Sequence, residues 1–229
     1  MRSCRIPPLV LALLACVALA PVVRASAPEG VSRPGGPGPA AARRGGAAPA
    51  AARSGAAPVK GSMTLLYGDD HVFGIVPPPG WVVDDTSGLG SKIRVVLYPL
   101  GQKWATAQTV MYSNPLHQDP RTRKTFGQLL ERDIAAFRKQ SPRGKVVSAP
   151  PIQNVRKQQA EVRYFSPDGR DPLTAVAYYE EKDLVMLLVL EAKTATGFRD
   201  ALPAFNGMVA SYQFVASGVQ TPTNDDRKR

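Results

Sequence analysis

FGIVPPPGWVVDD, residues 73–85, places three prolines, a glycine and a tryptophan between two apolar runs. A proline-rich stretch can be a polyproline ligand, but such ligands sit in exposed, extended segments. Here the prolines are clamped between Phe73-Gly74-Ile75-Val76 and Trp81-Val82-Val83, runs of β-branched and aromatic residues that favour strands. Proline suits a strand end because it has no N–H to give to a ladder. Gly80 frees the backbone for a sharp bend. The stretch therefore reads as a corner in a β-domain, with Trp81 as a core anchor.

Outward from that corner the chain continues in strands. MTLLYG (63–68) and HVFGIVP (71–77) predict two strands with Asp69-Asp70 in the turn between them. WVVDD, KIRVVLYP (92–99) and TAQTVMYS (106–113) predict three more. Thr125-Phe126-Gly127-Gln128 then has the form of a capping box, in which a Thr oxygen and a Gln amide satisfy the first free N–H groups of a helix. Behind it Phe126, Leu129, Leu130, Ile134 and Phe137 recur at helical spacing on one face, and Pro142 and Gly144 end the run.

A second β run follows: KVVSA (145–149), AEVRYFS (160–166), LTAVAYYEE (173–181) and DLVMLLVLEA (183–192), with a turn at Ser166-Pro167-Asp168-Gly169. LVMLLVL is continuously apolar, which predicts a central strand buried on both faces. A second helix is expected from about Thr196 to Ser211, with Phe198, Leu202, Phe205, Val209 and Tyr212 on one side. Pro203 interrupts it and is expected near the first turn of its main part. Strands, helix, strands, helix predict an α+β fold: an antiparallel β-sheet flanked by helices, an α/β/α sandwich.

The folded block is expected over residues 61–216. Before it, residues 1–25 read as an export signal peptide. Arg2 and Arg5 precede the uncharged apolar run 7–23, and Val23 and Ala25 supply small residues at a cleavage site. Leu13-Leu14-Ala15-Cys16 offers a second route, since it has the form of a lipobox that would lipidate Cys16. Residues 26–60 are almost entirely Ala, Pro, Gly, Arg and Ser, too poor in apolar side chains to offset the entropy of ordering, and read as a disordered linker. Residues 217–229 read as a disordered polar tail. The location expected is periplasmic or secreted, with a lipid anchor to a bacterial membrane as the alternative.

The two cysteines of the chain, Cys4 and Cys16, lie inside the signal segment, so the folded block has no disulfide, thiol nucleophile or thiolate metal site to draw on. The net charge of +11 divides unevenly. Residues 60–217 hold 19 Lys and Arg against 15 Asp and Glu, and the remaining excess sits in the extensions. A nucleic-acid reader needs a concentrated basic stripe with aromatics or a reading helix, and the pattern has neither. The closest approach to a patch surrounds the first helix: Arg121, Arg123, Lys124, Arg138, Lys139, Arg143 and Lys145. These residues are the candidate binding face, suited to an acidic partner or anionic polymer.

Catalytic patterns are missing. The chain carries no phosphate-binding glycine loop, no GxSxG elbow and no paired His spacing. His71 follows Asp69-Asp70, and His117 precedes Gln118-Asp119, so each local stretch supplies two metal donors where a site needs three or four. A spatial triad of serine, histidine and carboxylate is left open by the pattern. Glu180-Glu181 reads as a solvated hairpin tip. No catalytic residue, metal ligand set or cofactor is assigned from the sequence.

The opening YGDDHVFGIVPPPGWVVDD resembles the aromatic-start, F-x-I-x-x-P-x-G-W hairpin of the PsbP/Mog-like superfamily, and the closing FRDALPAFNGMVASYQF is similar to its terminal helix and last short strand. The resemblance covers most of residues 63–215. It implies a small α/β/α sandwich and an accessory or binding role, because known members are mainly non-enzymatic. The photosynthetic members stabilise an oxygen-evolving complex, the Mog type binds a small GTPase, and bacterial relatives are exported proteins or lipoproteins. No functional residue of the family maps onto this chain. The function expected is that of an exported, non-catalytic envelope accessory or scaffold protein. It would bind a protein or polymer, with peripheral membrane contact through the basic linker or a lipid anchor. The alternative is a periplasmic carrier of a small ligand or lipid.

Overall fold

The computed structural model describes residues 61–68, 70–117 and 124–218. The signal segment, the linker, Cys16, Asp69, Arg121, Arg123 and the tail from residue 219 lie outside the described residues. Among the described residues there are ten strands: β1 (Thr64–Tyr67), β2 (His71–Ile75), β3 (Trp81–Asp84), β4 (Val96–Pro99), β5 (Thr109–His117), β6 (Lys145–Gln153), β7 (Gln159–Ser166), β8 (Thr174–Glu180), β9 (Leu184–Ala192) and β10 (Gln213–Ser217). Two α-helices accompany them, α1 (Phe126–Gln140) and α2 (Ala195–Ser211).

The strands form two sheets, a three-stranded one in the order β1-β2-β10 and a seven-stranded one in the order β3-β4-β5-β9-β8-β7-β6. Every pairing is antiparallel. PPPGW is the crossing from one sheet to the other. Trp81 N donates to the Pro78 carbonyl at 3.1 Å, and Gly80 sits at φ 79°, so Pro79-Gly80 fill the central positions of a type II turn. A side chain at that φ would be strained, which is why glycine stands there. Trp81 is half-buried against the core, not enclosed by it as expected.

Strand β9 shows why the large sheet needs cover on both faces. Met186, Leu188 and Leu190 point to the side of α2, where they join Phe198, Phe205, Met208 and Val209. Val185, Leu187 and Val189 point to the side of α1, among Leu130, Ile134, Phe137 and Phe165. The small sheet packs on the α2 side, contributing Leu66, Phe73 and Ile75 to the same cluster. The result is the α+β sandwich expected, with β9 buried on both faces as its continuous apolar run requires.

The capping box closes as read: Thr125 Oγ1 accepts from Gln128 N, and Gln128 Oε1 accepts from Thr125 N. Three expectations need correction. The strand expected over 92–99 begins only at Val96, because residues 89–91 form a 3-10 turn ended by Lys92 at φ 60°. The strand expected over 106–113 is shifted, starting at Thr109 and running through Pro115 to His117. Pro115 is tolerated because β4 pairs with β5 only at Met111 and Tyr112, leaving no ladder where its N–H would be needed. Pro203 lies in the middle of a continuous α2, not near a first turn. It is exposed, so the carbonyl that it leaves without a helical partner faces the solvent side.

The α1 face also buries a charge-bearing group that periodicity did not reveal. Asp133 is buried, and its carboxylate accepts from the Tyr178 hydroxyl at 2.5 Å. Burial holds its pKa above the ordinary carboxylate value, with the Tyr178 bond pulling the other way.

Candidate functional site

The two sheets meet along a seam, and a cleft opens there between β2 and β5. Its volume is about 150 Å3, and its walls include His71, Phe73, Lys92, Arg94, Ser113 and His117. Both histidines of the chain are in it. His71 begins β2, which is pinned on one side by β1 and on the other by β10, where it faces Ser217. His117 ends β5, held in register opposite Leu184 of β9. Local sequence offered donors in pairs; the fold assembles a third.

Asp70 joins the two rings. His71 Nδ1 lies 3.1 Å from Asp70 Oδ1, and His117 Nδ1 lies 3.4 Å from Asp70 Oδ2. One donor atom from each of the three residues lies within 4.8 Å of the others. The environments differ: His71 is 2% exposed, whereas His117 is 48% and Asp70 56% exposed. The cluster is thus anchored by one buried imidazole and open to solvent at the other two groups.

The buried ring sits in a slot built for it. Phe73 stacks on it with centroids 5.9 Å apart and planes inclined by 16°. Gly68 lies against the ring: a Cβ there would come 2.0 Å from His71 Cε1. Gly68→Ala is therefore expected to push the ring out and lower stability by about 1–3 kcal/mol. Gly90→Ala, where no atom lies within 4 Å of the added carbon, should stay within about 0.5 kcal/mol of wild type. Urea denaturation of the two variants checks this, and equal midpoints would show that Gly68 does not shape the slot.

Ser113 raises the question of a hydrolytic triad, since a hydroxyl and two imidazoles share one cleft and a carboxylate contacts both rings. Among the described residues no hydrogen bond joins Ser113 Oγ to either ring, and the Nδ1 atoms face Asp70. The arrangement holds two nitrogen donors around one carboxylate, which is the form of a ligand set more than of an activated nucleophile.

The basic face read from the sequence is spread out. Lys124 precedes α1, while Arg138 and Lys139 occupy its last turn, roughly 20 Å away at 1.5 Å per residue. Arg143 and Lys145 follow the helix, and all five side chains are exposed. Cations at a helix C-terminus complement its dipole, a structural reason for Arg138 and Lys139 to be where they are. Glu181, read as part of a solvated tip, is half-buried instead. It accepts from Tyr212 Oη and Gln158 Nε2, both at 3.2 Å, and burial raises its pKa.

A different surface stands out on the small sheet. Leu65 and Tyr67 of β1 alternate with the buried Leu66 and so face outward. Met63 lies over Gly74, where a Cβ would come 2.6 Å from its sulfur, and Val215 occupies the bulge of β10. All four are at least two-fifths exposed. The pattern missed this patch because strand alternation was read for its inward residues, and only the pairing of β10 with β2 brings Val215 beside the others.

No helix among the described residues is long and apolar enough to cross a membrane. No family model matches the chain, and no curated protein sequence matches it. Among solved structures it is similar to the solution structure of cyanobacterial PsbP (CyanoP) from Synechocystis sp. PCC 6803, at 12% identity over 67% of this chain and 93% of that one, with a TM-score of 0.42. It is also similar to a crystal structure from Bacteroides thetaiotaomicron, at 12% identity over 66% of this chain and 47% of that one, with a TM-score of 0.31.

Proposed function

We propose that the chain is an exported accessory protein that acts by binding an envelope protein, without catalysis, through the outer face of its small sheet. The observation that carries this reading is the exposure of Met63, Leu65 and Tyr67 at β1 and of Val215 on β10, the two strands that flank β2 in the small sheet. A contiguous apolar surface of this kind, away from the core, is the usual mark of a protein contact. The export signal and the flexible linker read from residues 1–60 would deliver the domain beyond the cytoplasm and let it reach its partner. The linker arginines add attraction to anionic lipid or polymer. A carrier of lipid or another sizeable ligand needs a cavity of several hundred Å3. The seam cleft, at about 150 Å3, is too small to hold such a ligand.

Site-specific photo-crosslinking in the intact envelope tests the reading. A crosslinker placed at Tyr67 should give one discrete adduct heavier than the chain. One placed at Glu131, on the exposed side of α1, should not. The adduct should disappear when Leu65→Asp and Val215→Asp are combined, substitutions at exposed positions that leave the thermal midpoint near wild type. Identical adducts from both crosslinker positions would overturn the proposal, as would a single adduct of twice the chain mass, which would mean self-association.

A further inference from the structure

We infer that Asp70, His71 and His117 form a binding site for a borderline divalent transition metal, with Zn2+ as the reference ion. Three independent features converge on this. The first is geometric. Zinc bonds of about 2.0–2.2 Å in a tetrahedral site place neighbouring donor atoms about 3.3–3.5 Å apart. Asp70 Oδ1 lies 3.1 Å from His71 Nδ1 and Asp70 Oδ2 lies 3.4 Å from His117 Nδ1, and one donor atom from each of the three residues falls within 4.8 Å of the others, a spread that small side-chain adjustments would close.

The second is chemical. Two imidazoles and one carboxylate are a mixed N/O set, which suits Zn2+, Cu2+ or Ni2+ and poorly suits the oxygen-seeking Ca2+ and Mg2+. Three protein donors leave a fourth position for water, open to the solvent side where His117 and Asp70 are exposed. The third is preorganisation. His71 is held by the Phe73 stack and the Gly68 slot, so little of its side-chain entropy remains to be lost when a metal binds, and the β5–β9 register places the backbone of His117 beside it. The chain has two histidines, and the fold brings both to one aspartate. Lys92 and Arg94 line the same cleft and moderate the affinity through their positive charge.

Binding uses a lone pair on one nitrogen of each imidazole, and any proton held on that nitrogen is released to solvent. The site is on the seam, whereas the proposed contact surface is the outer face of the small sheet. Either proposal can therefore fail without the other.

Two histidines give two imidazole Cε1–H signals in the proton NMR spectrum of the full chain, which reads the site directly whatever the cysteines bind. On titration with Zn2+ both signals should shift together and saturate at one equivalent, while Mg2+ moves neither. In His117→Ala, a change at a half-exposed position, the remaining His71 signal should need at least tenfold more Zn2+ to shift. Asp70→Asn should weaken binding by at least tenfold, with both signals still present as a check on folding. The inference is overturned if Zn2+ leaves the two signals unmoved or moves only that of His117. Equal response of His71 in wild type and His117→Ala would overturn it too.

Discussion

Phe205→Ala is expected to lower stability by about 3–5 kcal/mol, the usual cost of truncating an aromatic in a closed core. Phe205 has no exposed surface and stands on the inner face of α2, among Phe198, Met208 and Val209 and against the large sheet. Phe137→Ala should cost a similar amount on the opposite face, where its ring meets Phe165 edge-on at 5.1 Å. The informative result is the double variant. The two rings belong to separate clusters divided by the sheet, so their losses should add to within about 0.5 kcal/mol. Urea denaturation of the single and double variants measures this. A strongly sub-additive result would mean that the sheet transmits a change in packing from one face to the other.

Tyr178→Phe is expected to cost about 1–3 kcal/mol at neutral pH, because it leaves the buried Asp133 carboxylate without its hydrogen-bond donor. The loss should depend on pH in a definite direction. Burial raises the folded-state pKa of Asp133 above its unfolded value, so the folded protein binds a proton more readily between the two. Asp133 therefore favours the folded state most below its unfolded pKa, near 3.9, and this contribution is lost as pH rises through the folded pKa. Removing the Tyr178 hydroxyl raises that pKa further, and so steepens the fall in stability towards pH 7. Asp133→Asn, which keeps an acceptor and removes the charge, should flatten it. Stability measured from pH 3 to pH 7 distinguishes these outcomes. An equal loss for Tyr178→Phe across that whole range would assign the cost to packing alone.

What was legible in the sequence was local. The Thr125–Gln128 capping box, the LVMLLVL strand and the PPPGW corner each carry their reason within a few residues, and each stands in the structure in its expected place. What was hidden depended on partners far along the chain. KIRVVLYP has strand composition from its first residue, yet its strand begins only at Val96, because a 3-10 turn and the left-handed Lys92 come first. Asp133 falls on the apolar face of α1 and looks like a break in the pattern until Tyr178 arrives from β8. The seam cluster is the sharpest case. His71 opens a predicted strand and His117 lies 46 residues further along the chain, and only the placing of β2 beside β5 brings both rings to Asp70.

The pairing of β2 with β10 has a consequence for how the molecule comes to be made. One edge of β2 is covered early, by β1, but the other is covered only when residues 213–217 are available. A chain emerging with its N-terminus first holds that edge open throughout synthesis, and closing so long a loop is entropically slow. The last strand therefore acts as a latch that closes the small sheet only once residues 213–217 are in place. The same latch sets a hazard, since a chain cut short of Gln213 would offer its open edge to the next copy.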